Sequence, residues 1–203
     1  QQLVLLDHES ESFSPVPLSD DRWTLLIINS GVAPTHASAA PARLRAVFAR
    51  AAEHLRLPSL RHLPVASLDA ALAAPGLTEE LRRCIRHVVT ENDRTLRCVT
   101  ALRQDDLVAA GRLLNASHAS WRHDNQVTCA ELDFIAATTQ ALPGVAGCRW
   151  TDGDCGGSYV ALVQRDAAID VMNRVSAEYA RQFGHPATAF TTSPAAGARL
   201  VQL

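Results

Sequence analysis

Lysine is absent from this 203-residue chain, and all 19 basic residues are arginine. That excludes a lysine nucleophile and a lysine clamp on phosphate. A surplus of either charge is also lacking: 21 acidic residues leave a formal net charge of −2, with a pI near 6.5. Binding a phosphate backbone needs a basic face that can displace counterions, so nucleic acid is not an expected partner. No apolar run approaches the roughly 20 residues that span a bilayer, and residues 1–20 lack the basic start and apolar centre of a signal peptide. A membrane is therefore not expected, and the cytoplasm is the default location. The five cysteines form an odd set with no C-x-x-C pair, which fits reduced thiols rather than a disulfide framework or a metal site. Glycine and proline number ten each, too few for a collagen-like or low-complexity chain. Methionine occurs once, at Met172, and Gln1 leads almost directly into an apolar run. The chain is expected to be a piece of something longer.

What is present is roughly one domain of globular sequence, 47% hydrophobic and 20% charged. Gln2 to Asp7 and Trp23 to Ile28 are short apolar runs that read as buried strands. Ser12 to Leu18 alternates but carries Pro15 and Pro17, so it reads as an edge strand or an extended connector. From about Pro41 the period becomes helical, with Leu44, Val47, Phe48, Ala51 and Leu55 on one face. A short helix is expected near Ser67 to Ala74. Thr78 then suits the N-cap of a longer helix through Leu81, Cys84, Ile85, Val88 and Val89, with Leu96, Val99 and Leu102 extending its face. Leu107 to Leu114 marks another helix. Thr128-Cys-Ala-Glu131 reads as a capping box for a helix from about Ala130 to Gln140. Val145 to Trp150 and Ser158 to Val163 read as strands around a Gly/Asp turn. Asp166 is a candidate cap for a last helix facing inward through Ile169, Met172, Val175, Tyr179 and Phe183, and Ala187 to Thr192 and Ala198 to Leu203 read as two more strands. This order suits an antiparallel sheet with helices on one face, in the α+β class.

Candidates for chemistry are few. His118 and His123 with Asp124 offer acid/base or metal-ligating groups, set against a plain reading as hydrogen-bonded residues near a helix end. Ser117 and Ser120 place hydroxyls beside His118, yet no nucleophile elbow surrounds them. Trp150 and Tyr159 suit stacking on a ring or, more simply, the core. Gly153, Gly156 and Gly157 let backbone amides approach a phosphate closely, although Asp152 and Asp154 oppose one electrostatically. A hairpin turn is the plain alternative. The sequon Asn115-Ala-Ser117 lies within a helical pattern and reads as chance.

Taken in order, Arg86-His-Val-Val-Thr-Glu-Asn-Asp-Arg94, Gly111-Arg-Leu-Leu-Asn-Ala-Ser-His118, Val127-Thr-Cys-Ala-Glu-Leu-Asp133 and Thr151-Asp-Gly-Asp-Cys-Gly-Gly157 resemble the C-terminal part of galactokinases in the GHMP kinase superfamily. The likeness extends to Leu3 to Asp7, to Asn29-Ser-Gly-Val32 and to Gly197-Ala-Arg-Leu200. It implies an α+β fold, the GHMP-kinase C-terminal domain, with a ferredoxin-like antiparallel sheet, helices on one face and extra helices. It also implies ATP-dependent phosphorylation of galactose or a related sugar, with Mg and ATP as cofactors known through the family only and not expected to bind tightly to this chain. The family's phosphate loop and its catalytic aspartate belong to an N-terminal domain, so no catalytic and no metal-binding residue is assigned here. That domain is the expected partner, and the sugar the expected substrate. Residues 1–30 are expected to join or border it, and residues 31–203 to form the C-terminal domain.

The family's glycine-rich third motif falls on Thr151, Asp152, Gly153, Asp154, Cys155, Gly156 and Gly157, with two glycines replaced by aspartate. The Tyr-Asn pair that the family places beside the sugar falls on Pro41 and Ala42, and Arg45 keeps the second of two following arginines while Leu44 replaces the first. These changes leave an alternative open: a non-catalytic homologue acting as a sugar- or nucleotide-responsive module or a partner-binding module.

Overall fold

The computed structural model describes residues 2–18, 21–32, 40–151 and 157–195. Two strands, β1 (Gln2–Asp7) and β2 (Ser12–Pro17), pair antiparallel from Gln2↔Pro17 to Asp7↔Ser12 as an isolated ribbon. Asp7 ties its turn by accepting the amides of Glu9 and Ser10 at 2.9 and 3.3 Å. β1 is not the buried strand that its apolar run implies. A two-stranded ribbon has two faces and only one neighbouring layer, so Leu3 and Leu5 turn inward while Val4 (61%) and Leu6 (54%) stay exposed. Ser12 to Pro17 is paired with it as an edge, as the two prolines require.

The main sheet is wholly antiparallel. β3 (Trp23–Asn29), β4 (Val145–Trp150), β5 (Ser158–Gln164) and β6 (Thr188–Thr192) lie in the order β4-β5-β3-β6. β3 falls within residues 1–30, yet it is an inner strand here, paired with β5 and β6. The second C-terminal strand expected at Ala198 to Leu203 lies outside the described residues. Among the described residues the α-helices are α1 (Ala40–His54), α2 (Leu68–Leu72), α3 (Glu79–Arg103), α4 (Leu107–Ser120), α5 (Ala130–Gln140) and α6 (Ala168–Phe183). Among the described residues, no helix is long and apolar enough to cross a membrane.

Successive strand residues point to opposite faces, and each face meets its own helices. Leu26, Ile28, Cys148, Trp150, Tyr159, Ala161 and Val163 pack against Leu132 and Ile135 of α5 and Val171, Val175 and Tyr179 of α6. Each fully buried aliphatic side chain contributes about 1.5–3 kcal/mol. Leu25 and Leu162 face the other way and meet Ala101, Leu107 and Ala110 where α3 passes into α4. A third core lies wholly between helices, joining Val47 and Ala51 of α1 to Leu81, Cys84, Ile85 and Val89 of α3.

The free edge of β4 is closed by side chains. Asn115 of α4 accepts the Cys148 amide at 2.8 Å, and Gln140 of α5 donates to the Cys148 carbonyl at 2.8 Å. The sequon asparagine is thus a structural ligand of the sheet edge. α4 comes this close because Gly111 and Gly147 face each other; a Cβ on either would overlap the other strand's or helix's backbone.

Several local expectations need correction. Thr78 caps α3 as read, accepting the Leu81 amide at 3.3 Å. Thr128 does not cap α5, whose N-cap is Cys129, with no side-chain cap bond. Asp166 does not cap α6, which starts one residue later from Ala167. Leu96 and Ile169 point to solvent, because the buried stripes of α3 and α6 run through Val99 and Ala101 and through Val171, Val175 and Tyr179. α4 ends in one π turn, Trp121–Asn125, stopped by Gln126 at φ 54.

Candidate functional site

The glycine-rich motif joins β4 to β5 at the end of the sheet where β3 stops and β6 begins. Thr151 and Gly157 are its described ends, while Asp152, Gly153, Asp154, Cys155 and Gly156 lie outside the described residues. Both ends are fastened by short local bonds. The Thr151 amide and hydroxyl each donate to the Ser158 carbonyl at 3.1 Å, closing the mouth of the hairpin. Across from them, β3 ends in Asn29-Ser30-Gly31-Val32. The Ser30 amide donates to the Gly157 carbonyl at 2.8 Å, and Asn29 Nδ2 donates to Ser158 Oγ at 3.2 Å. Asn29 Oδ1 accepts the Gly31 amide at 2.7 Å, and Ser30 Oγ accepts the Val32 amide at 3.2 Å.

Two glycines are required here for different reasons. Gly31 has φ +73, a left-handed conformation that costs a side chain strain. Gly157 has no such angle; a Cβ there would overlap the hydroxyl of Ser30, which is fully buried. The motif's last glycine is therefore fixed by contact with a segment more than a hundred residues earlier, a constraint that spacing in sequence does not reveal.

Around this end stand His185, whose imidazole lies 3.7 Å from the place of a Gly31 Cβ, and Tyr179, packed edge-on to His185 at 5.3 Å. Glu131, in the first turn of α5, is held below the usual carboxylate range by its own backbone amide, by the Cys129 thiol and by the charge of His185. Trp150 and Tyr159, candidates for ring stacking, are both buried, and the Tyr159 hydroxyl donates to the Leu132 carbonyl at 2.5 Å. They belong to the core.

Pro41 and Ala42 sit in the first turn of α1, Pro41 half-buried and Ala42 exposed. Proline suits that turn, where its missing amide would have no helical partner. The neighbouring Arg43 reaches Glu80 of α3 at 3.3 Å and the carbonyl of Asn125 at 3.4 Å, fixing this end of α1 to the helical layer. Arg45 is exposed on the same helix.

The histidine candidates are separated. His118 is buried with its Nε2 3.6 Å from Asp133, and His123 is exposed. Ser117 donates to Glu91 at 2.5 Å and does not serve His118. The connected set is one that sequence adjacency missed: Ser120 Oγ donates to Asp124 at 2.7 Å and meets His87 Nδ1 at 2.9 Å, while Arg86 holds the other oxygen of Asp124 at 3.1 Å. Burial pushes His87 down to about 4, against the pull of Asp124, so it stays neutral and donates its Nδ1–H to Ser120. His87 also packs edge-on against Trp121 at 4.6 Å. With the serine proton given to a carboxylate, the triad locks the π turn to α3 and offers no activated nucleophile.

No protein-family model matches the chain. Individual proteins do. The galactokinase of Streptomyces coelicolor is 37% identical over 185 residues, covering 91% of this chain and 48% of that protein. Human galactokinase is 38% identical over 200 residues, covering 98% and 50%. Among solved structures, Lactococcus lactis galactokinase complexed with galactose superposes with a TM-score of 0.87 at 31% identity, over 93% of this chain and 49% of that one. An L. major mevalonate kinase in complex with R-mevalonate shares the fold at TM-score 0.58 and 17% identity, over 97% and 50%. The chain spans about half the length of the curated relatives that it matches.

Proposed function

Since the chain belongs to the galactokinase family, as a C-terminal region about half the length of its relatives, we propose that it serves an ATP-dependent sugar kinase and acts only together with an N-terminal half. The acceptor is galactose or a related sugar, and the cytoplasm is the place of action. The observation that carries this reading is the knit of Asn29 to Ser158 and of Ser30 to Gly157, in a chain that superposes on a galactokinase at TM-score 0.87.

The family's phosphoryl donor is Mg·ATP, and the described residues do not by themselves fit it. Among them no group of three His, Cys, Asp or Glu side chains is placed to hold a metal ion. The amides of Ser30, Gly31, Val32 and Thr151 are all committed to internal bonds. The part left to this chain is positioning. Phosphoryl transfer depends mainly on orientation and charge stabilisation, and the described ends of the motif, Thr151 bonded to Ser158 and Gly157 bonded to Ser30, are fixed in place.

The partner half is assigned to the ribbon side. Val4, Leu6 and Phe13, the last 74% exposed, leave an apolar surface on β1 and β2, and such patches mark interaction sites. In this reading residues 1–30 border the N-terminal half through the ribbon, and residues 31–203 form the C-terminal domain, whose sheet also takes in β3 as an inner strand. Pro41 and Ala42 border the sugar, where proline offers no polar side-chain atom. That substitution favours a second reading, a non-catalytic sugar-responsive module.

Calorimetric titration of the longer protein carrying this chain with galactose and Mg·ATP, together with a kinase assay, separates the readings. Binding with turnover is the expected result. Sugar binding without turnover supports the non-catalytic module, and silence toward both ligands overturns both readings.

A further inference from the structure

A cavity of about 200 Å³ lies beneath the ribbon and between α3, α4 and the edge strand β4. Its walls are apolar: Leu3, Leu5 and Val16 from the ribbon, Leu102 from α3, and Leu113 and Leu114 from α4. Its charged groups are Glu91, Arg94 and Arg149, with Thr95, Cys98 and Ser117 adding hydroxyls and a thiol.

The charges in it do not cancel. Glu91 pairs with Arg94 and accepts the Ser117 hydroxyl, so both of its oxygens are engaged. Arg149 is left over. Its Nε donates to the Trp150 carbonyl at 2.8 Å, and no carboxylate among the described residues pairs with it. Burial presses its proton affinity down, and the neighbouring Arg94 is pressed down in the same way. Guanidinium keeps its proton regardless, so one half-buried positive charge without a carboxylate partner among the described residues stands in the wall of an otherwise largely apolar hollow. Such a charge, half-removed from water and facing apolar walls, favours an anionic partner.

We propose that this cavity binds a small carboxylate with a short apolar tail, the carboxylate bridging to the Arg149 guanidinium and the tail lying against the ribbon. Carboxylate matches the planar donor fork of arginine in two-point geometry. The volume corresponds to roughly six or seven water-sized groups at about 30 Å³ each, which suits a chain of five or six carbons. The apolar wall favours a tailed acid over inorganic phosphate. This inference does not rest on the kinase reading.

Hexanoate is the probe, with acetate, hexanol and inorganic phosphate as comparisons. It is titrated by calorimetry into the 203-residue chain and into the longer protein that carries it. Hexanoate is expected to bind in the millimolar range or tighter, to raise the melting temperature, and to bind at least about tenfold more weakly to Arg149→Met, a loss typical of a charge-assisted bidentate contact. Circular dichroism checks that this variant is folded. Leu114→Phe, which fills the hollow and keeps the arginine, is expected to abolish binding as well, so the outcome does not hang on one variant. No binding of hexanoate, equal binding of hexanol, or tighter binding of phosphate overturns the proposal. So does unchanged affinity in both variants, or binding by the short chain with none by the longer protein, which would make the hollow a surface that the other half covers.

Discussion

Gly157 is confined by its contact with Ser30. Replacing it with alanine forces the Ser30 hydroxyl aside in a fully buried place, and overpacking of that kind costs about 1–3 kcal/mol. Chemical denaturation of Gly157→Ala is expected to show that loss, and Ser30→Gly in the same chain is expected to recover much of it. Simple additivity of the two losses would contradict the contact. His87 supplies a second prediction. Its pKa is about 6.5 when unfolded and about 4 in the fold, so between these values the unfolded chain binds one more proton and stability rises with pH. As pH falls from 6.5 to 4 the chain is expected to lose on the order of 3 kcal/mol through this residue. The comparison is the same pH series on His87→Gln, whose slope in that window should be smaller by one proton. An identical slope would mean that His87 is not buried as a neutral group. Neither residue stands out in the sequence. The Gly157–Ser30 contact joins distant segments, and the adjacency of Ser117 to His118 draws attention from the pair His87 and Ser120, which lie on different helices.

At the scale of elements, β4 and α4 form the tightest junction. A Cβ at Gly111 or Gly147 meets backbone, which cannot step aside. Gly111→Ala is therefore expected to destabilise by about 2–4 kcal/mol, more than Gly157→Ala, where only a hydroxyl must move. Asn115→Ala leaves the Cys148 amide without its acceptor and is expected to cost about 1–3 kcal/mol, read by thermal unfolding. The ribbon is held in another way. Arg61 bridges Asp7 at 2.5 Å and Glu9 at 2.8 Å, and His62 meets Glu9 at 3.2 Å, all at the surface. Exposed pairs contribute little to global stability, so Arg61→Ala is expected to leave the melting temperature nearly unchanged while speeding amide exchange in β1 and β2. Equal exchange rates would show that the apolar face alone holds the ribbon.

The same elements show what was legible in advance. β3, β4 and β5 follow from short apolar runs between turn residues, because each is bounded by polar or glycine-rich sequence and buried on at least one face, whereas β6 is mostly exposed and the span of α5 follows from the Thr128 to Glu131 pattern. β1 has the same composition, yet lies in a ribbon with no second layer outside it. Leu96 and Ile169 fit a helical period but fall at the margin of the buried stripe, where a residue's direction depends on the neighbouring helix rather than on its own sequence. Caps depend on where a turn begins to within one residue, and Thr128 and Asp166 each stand one position too early.

For the molecule as a whole, collinear motifs carry the likeness to the C-terminal region of galactokinases, while the proposed chemistry draws on groups outside this chain. The ends of the glycine-rich motif have a structural duty: Thr151 bonds Ser158 and Gly157 accepts the Ser30 amide next to β3, while Pro41 and Ala42 sit on a helix turn that tolerates them. The function proposed above divides the labour, leaving positioning to this chain and the proton acceptor to an N-terminal half. The most direct measurement is transfer of labelled γ-phosphate from ATP to galactose by the longer protein, with the 203-residue chain assayed alone beside it. Transfer by the longer protein and none by the isolated chain is the predicted outcome. Transfer by the isolated chain would contradict the assignment, because its described residues would then have to contain the catalytic groups placed in the other half.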